Sequence, residues 1–220
     1  MDTSDDKQEP VGPADVDKAQ DSPAQPGAAS LDLIVDEHEE EVSENGETVR
    51  RQGVFLLPNL FTTGALFAGF YAIIAALKGD FESAAIAIFV AGVFDGLDGR
   101  IARLTNTSSK FGAEYDSLSD MVSFGVAPSL VVFSWALSDL GKFGWSAAFI
   151  YVACAALRLA RFNSQAESQD KAYFQGLASP AAAGTLVSIV WFFNDQGISG
   201  ETVRWLMLFV TVSLGLLMFS

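Results

Sequence analysis

Asp95 and Asp98 stand three residues apart in Asp95-Gly-Leu-Asp98-Gly99-Arg-Ile-Ala102-Arg103, and Asp116 and Asp120 stand four apart in Gly112-Ala-Glu-Tyr-Asp116-Ser-Leu-Ser-Asp120. On a helix, either spacing puts both carboxylates on one face, a single turn apart. Each pair borders a strongly apolar stretch, where an ionised carboxylate is costly and marks a functional site. Two such faces turned toward each other form a four-carboxylate cluster whose mutual repulsion demands cations. Oxygen ligands with no neighbouring His or Cys select hard ions, magnesium or manganese rather than zinc. The only histidine, His38, lies among glutamates well upstream, and the single cysteine, Cys154, lies in an apolar run. Disulfides within the chain are thereby excluded, and acid–base chemistry falls to carboxylates.

The elements that must position these residues are apolar. Six stretches stand out, at 54–77, 83–103, 117–137, 143–161, 178–193 and 203–219. Most approach the ~20 residues that cross ~30 Å of hydrocarbon as a helix. Short connections with breakers or polar residues separate them, as at Lys78-Gly79-Asp80. Small residues within them (Gly64, Gly69, Ala84, Ala85, Ala181 to Gly184) let helices approach closely in lipid. The expected fold is all-α: a polytopic membrane helix bundle of about six transmembrane helices over residues 50–220, preceded by a disordered acidic tail. Arg50, Arg51, Arg100, Arg103, Lys110, Arg158, Arg161 and Lys171 fall on one side, and Lys78, Lys142 and Arg204 on the other. The excess of cations marks the cytoplasmic side, which places the amino terminus and all four aspartates there. The last stretch runs to Ser220, and the sequence leaves open whether it ends at the interface or continues in further sequence.

Residues 1–49 hold fifteen acidic residues against Lys7 and Lys18 alone. Such a segment buries too little apolar surface to offset its ordering entropy and is expected to be disordered. The remainder carries eleven basic and twelve acidic residues, so the net charge of −14 belongs almost wholly to the tail. That balance excludes nucleic acid as a partner. The tail reads as a solvated spacer, with repulsion of anionic lipid or docking of a basic partner as alternatives. The first thirty residues have neither the basic start nor the apolar run of a secretory leader.

Two other readings of the aspartates compete. A calcium loop wants oxygen ligands at alternate positions and a closing Glu at the twelfth, but Arg100 and Arg103 intrude and Asn106 takes the closing position. A divalent-cation transporter also uses intramembrane carboxylates. It leaves Gly99, four after Asp95, and Gly112, four before Asp116, without a purpose. On helices both glycines share the aspartate faces and clear space for a ligand beside the metals. Arg103 adds a forked donor suited to phosphate.

The pattern Asp-x2-Asp-Gly-x2-Ala-Arg-x8-Gly-x3-Asp-x3-Asp resembles the signature of the CDP-alcohol phosphatidyltransferases, with every signature position filled over residues 95–120. Within that family the chain looks most like the bacterial and archaeal phosphatidylserine synthases. Pro58-Asn59-Leu-Phe-Thr62-Thr63, Asp116 to Pro128, Leu157-Arg158-Leu-Ala-Arg161-Phe-Asn163 and Gln175-Gly-Leu-Ala178-Ser179-Pro180 carry that likeness. Ala178 departs from it, since proline is usual there. The resemblance implies transfer of a phosphatidyl group from CDP-diacylglycerol to the hydroxyl of L-serine, releasing CMP. Glycerol phosphate, inositol phosphate and choline are acceptors of related enzymes. It further implies two magnesium or manganese ions on Asp95, Asp98, Asp116 and Asp120, with Asp120 also the general base. Gly99, Arg103 and Ser109 match positions that hold the CDP group. A homodimer in the cell (inner) membrane is implied as well.

The outer motifs admit more than one role. Arg158 and Arg161, with Asn163, suit acceptor binding, or the arginines anchor a helix at the interface. Asn59 and Thr62 suit contact with the CDP group, or a helix cap and an interhelical hydrogen bond. Ser179-Pro180 reads as a helix start.

Overall fold

The computed structural model of the chain describes residues 43–44, 47–48, 56–105, 110–166 and 176–220. It divides into two units, Met1–Gln52 and Gly53–Ser220. In the first, strands β1 (Ser43–Glu44) and β2 (Glu47–Thr48) pair antiparallel, a short ladder that the composition of the tail does not suggest. The rest of the expected tail lies outside the described residues.

The second unit is helical throughout: α1 (Leu56–Leu77), α2 (Phe81–Thr105), α3 (Lys110–Asp120), α4 (Ala127–Val132), α5 (Lys142–Ala166), α6 (Ser179–Asp195) and α7 (Gly200–Phe219). α3 and α4 belong to one rod, so among the described residues six rods stand where six apolar stretches were expected. Among the described residues, four segments are long and apolar enough to cross a membrane: Asn59–Leu77, Phe111–Leu140, Lys142–Ser164 and Gly200–Phe219. Of the other two rods, α2 carries the charged signature, and α6 has 17 residues.

Local signals set the helix ends. α1 closes on Gly79, whose φ of 79° an L side chain rarely adopts. Asp80 then caps α2, its Oδ1 accepting the Ser83 N–H at 3.0 Å. α6 opens with Ser179-Pro180 as its sequence predicts.

α1 and α2 form the most extensive helix pair. Both helices bury small residues, Ala65, Ala68, Ala72 and Ala76 on α1 and Ala84, Ala85 and Ala91 on α2. These recur at helical spacing and bring the backbones close, which is how helices gain dispersion energy in lipid. α1 also approaches the third rod: a Cβ on Gly69 would lie 2.6 Å from Ser123 Oγ and 2.8 Å from its Cα.

The third rod is not one regular helix. π-helical turns occupy Met121–Val126 and Phe133–Leu137, and a 3-10 turn follows at Ser138–Leu140. The first has a cause in the sequence. Pro128 has no N–H to offer the carbonyl four residues earlier, that of Phe124. The Tyr151 hydroxyl on α5, fully buried, donates to that carbonyl at 3.2 Å. The second π turn brings carbonyls against neighbouring helix starts: a Cβ on Gly144 would collide with the Leu137 carbonyl, and one on Gly200 with that of Trp135.

Candidate metal centre and substrate site

α2 and α3 bring the two aspartate pairs together. Asp95, Asp98 and Asp116 each present a carboxylate oxygen, all within 4.8 Å of one another. Asp120, one turn beyond Asp116, comes within hydrogen-bonding reach of Asp95. The spacing expected from the sequence therefore yields one cluster. Asp98 is only 5 % exposed, while Asp95, Asp116 and Asp120 are half-buried. Carboxylates this close, away from bulk water, are stable only with shared protons or a bound cation. The donor set is all oxygen, which fits a hard divalent ion.

Hydroxyl groups from neighbouring helices fix the rotation of these faces. Thr62 Oγ1 on α1 donates to Asp98 Oδ2 at 2.9 Å. Ser119 Oγ donates to the Thr62 carbonyl at 3.1 Å, and Ser123 Oγ to the Ala65 carbonyl at 3.0 Å. Thr63 Oγ1 hydrogen-bonds the Tyr115 hydroxyl at 2.9 Å. The third rod is thus held against α1 by serines four residues apart, one in α3 and one in the π turn after it, with Asp116 and Asp120 turned toward α2. Polar side chains in an apolar helix need partners in other helices. The four-residue spacing of Ser119 and Ser123 was the signal that would have found this seam.

α5 and α6 supply a second group of polar atoms. Arg158 Nη1 donates to Ser179 Oγ at 2.9 Å, and the guanidinium lies near enough to Asp120 for their charges to interact. Arg158 Nε is buried without a hydrogen-bond partner among the described residues. Asn163 Nδ2 donates to Ser117 Oγ at 3.0 Å, next to Asp116. Arg161 is exposed. Arg158 therefore turns into the bundle, whereas an interfacial anchor would reach outward. Ser179 starts α6 as expected and also receives Arg158, a role that its sequence context does not reveal.

Of the residues expected to hold CDP, Gly99 is exposed, and a Cβ there would meet nothing within 4 Å. That leaves the open space expected of it. Asn59 is half-buried at the start of α1. Thr62 makes the interhelical hydrogen bond open to it. The side chain of Arg103 and the whole of Ser109 lie outside the described residues.

A CDP-alcohol phosphatidyltransferase family model matches residues 55–217. The chain is 41 % identical over 168 residues to the CDP-diacylglycerol–serine O-phosphatidyltransferase of Helicobacter pylori, covering 76 % of this chain and 70 % of that one. It is 36 % identical over 184 residues to the protein of the same name from Mycobacterium tuberculosis, covering 80 % and 63 % respectively. Against that of Methanocaldococcus jannaschii it is 40 % identical over 133 residues, covering 60 % and 59 %. The family model's match begins after the acidic tail.

Proposed function

From membership of the CDP-alcohol phosphatidyltransferase family, to which this chain belongs, we propose that it transfers the phosphatidyl group of CDP-diacylglycerol to the hydroxyl of L-serine, giving phosphatidylserine and CMP. The observation that carries this reading is the convergence of the four aspartates with Arg158, beside Asp120. The names of the bacterial and archaeal relatives support serine as acceptor.

Asp95, Asp98, Asp116 and Asp120 are the residues that would hold divalent ions, two of magnesium or manganese. Bound there, such ions supply charge stabilisation for the pyrophosphate and its departing CMP. The protein's own groups do the rest. Asp120 takes the proton of the serine hydroxyl as its oxygen attacks the phosphorus, a role that hydrogen-bond reach and a free lone pair permit. Arg158 offers paired N–H donors to the serine carboxylate, and Arg161 and Asn163 border the same acceptor region. Gly99, with Asn59, Thr62, Arg103 and Ser109, receives the CDP group. The open space beside Gly99 supports its share of that assignment. A direct in-line displacement is the simplest course, because the cluster, among the described residues, is made of aspartates alone.

The protein is an integral membrane protein, with four helices among the described residues long and apolar enough to cross a membrane. We place the amino terminus and the aspartates at the cytoplasmic face of the cell (inner) membrane, on the asymmetry of Lys and Arg between the connections. There CMP and serine exchange with the cytosol while the acyl chains stay in the bilayer. The reading includes a homodimer, by likeness to the family, and an acidic tail over residues 1–49 that takes no part in catalysis.

The test is product identification. Purified protein in detergent receives CDP-diacylglycerol with magnesium or manganese and, separately, serine, glycerol phosphate, inositol phosphate or choline. Thin-layer separation should show phosphatidylserine with stoichiometric CMP. A lipid product formed only from another alcohol would replace serine as the acceptor.

A further inference from the structure

Tyr151 on α5 is fully buried, and its hydroxyl donates at 3.2 Å to the carbonyl of Phe124, in the first π turn of the third rod. Ala155 and Arg158 follow it by four and seven residues, a spacing that sets all three on one face of α5. That face packs on the rod that carries Asp120. A Cβ on Gly125 would lie 3.4 Å from Ala155 Cβ, and Arg158 lies near enough to Asp120 for their charges to interact. Further on, Asn163 Nδ2 donates to Ser117 Oγ at 3.0 Å. As α5 runs from Tyr151 to Asn163, its partners run back along the rod from Phe124 and Gly125 to Asp120 and Ser117, an antiparallel seam. α7 stands against the same point of α5: a Cβ on Gly215 would lie 3.1 Å from the Tyr151 Cα.

We infer that Tyr151 is a positioning residue of the acceptor site, a role that rests on the proposed binding of the serine carboxylate by Arg158. Its bond to the Phe124 carbonyl sets the height and rotation of α5, and with them the place of the guanidinium beside Asp120. Contacts between residues as small as Ala155 and Gly125 hold two helices together but offer little resistance to sliding or turning. A hydrogen bond does resist both, because it weakens steeply away from about 3 Å and from a narrow range of angles. The carbonyl is available because Pro128 has no N–H to give it. Inside a membrane bundle no water takes the place of a removed hydroxyl, so the buried carbonyl would lose this donor outright. Phe124 stands one turn beyond Asp120, and Arg158 two turns beyond Tyr151, so movement of α5 at this bond carries the guanidinium away from the carboxylate.

The experiment is a double-mutant cycle on full-length protein in detergent, with serine and CDP-diacylglycerol varied in turn. Tyr151→Phe keeps the ring and removes the donor. It should raise the KM for serine roughly 5- to 30-fold, the worth of one hydrogen bond's loss at the contact. Turnover at saturating serine and the KM for CDP-diacylglycerol should stay within about threefold of the parent. Combined with Arg158→Lys, the substitution should add little to the serine KM of Arg158→Lys alone, because both act on one contact. Additive losses would give Tyr151 a role apart from Arg158 and overturn the inference, as would an unchanged serine KM. A general loss, with turnover falling and both KM values rising, would reduce the tyrosine to packing and overturn it too. A parent protein that made no phosphatidylserine would overturn the proposed function, and this inference with it. Should Tyr151→Phe not fold, Ala155→Val, which crowds the Gly125 contact from α5, is read on the same scale: a raised serine KM is expected, and an unchanged one overturns the inference.

Discussion

Arg158 on α5 donates from Nη1 to Ser179 Oγ at the first residue of α6, joining two helices across twenty-one residues of chain. The bond fixes the guanidinium beside Asp120 and leaves its Nε buried, with no hydrogen-bond partner among the described residues. A buried cationic donor in that state is poised for an anion. The serine carboxylate is the anion that the proposed reaction brings.

Replacing Arg158 with Lys tests that assignment. The positive charge and the orientation signal remain, but paired hydrogen bonding does not. The KM for serine should rise roughly tenfold or more, and that for CDP-diacylglycerol far less. Arg161→Lys, at an exposed position, should raise it less. Steady-state kinetics with each substrate varied in turn decides; unchanged serine kinetics in both proteins would make these arginines anchors.

Removing a metal ligand should stop the reaction without unfolding the bundle. Asp95→Asn and Asp116→Asn keep the shape of each side chain and remove its charge. Both proteins should elute from size exclusion like the parent and release no measurable CMP. Activity of the parent should vanish on chelation and return with magnesium or manganese. Full turnover after exhaustive chelation would dispose of the metal reading.

Asp120 combines two proposed duties, and its variant should separate binding from chemistry. Asp120→Asn should retain measurable CDP-diacylglycerol binding while turnover falls by roughly 10²-fold or more. Equilibrium binding of labelled substrate beside single-turnover CMP release gives both quantities. Near-parental turnover would remove Asp120 from the proton transfer.

Gly69 tests the packing that sets the third rod. An added Cβ would meet Ser123 Oγ at 2.6 Å and its Cα at 2.8 Å, so α1 must move away or Ser123 must shift. Gly69→Ala should destabilise the protein by roughly 1–3 kcal/mol, the usual range for overpacking a tight contact. Thermal unfolding in detergent is the measurement. Gly99→Ala, where a Cβ meets nothing, should leave unfolding unchanged while weakening CDP-diacylglycerol binding.

Deleting residues 1–47 should leave the catalytic constants of the purified protein within a few-fold. The family match starts at residue 55, and all four aspartates lie beyond it. Loss of activity in a truncated protein that still folds would bring the tail into the reaction.

The local part of this architecture was readable from the chain alone. Runs of apolar residues near membrane length announce helices because, in lipid, a backbone must satisfy its own hydrogen bonds. Aspartates three and four apart share a helix face whatever the surroundings, so the two pairs were visible before their partner helices were known. Pro128 could have announced the π turn as well, since its missing N–H is a covalent fact. The rest depended on how the helices are rotated about their axes. Nothing local links Thr62 to Asp98, thirty-six residues on, or Ser117 to Asn163, forty-six on. Nor does anything local turn Arg158 toward Ser179. Those bonds exist because small residues such as Gly69 and the alanines of α1 and α2 let backbones come close enough for short hydroxyl side chains to reach across. That closeness is a property of the packed bundle: a hydrogen bond needs two groups within about 3 Å, and only tertiary packing sets distances between residues so far apart in the chain.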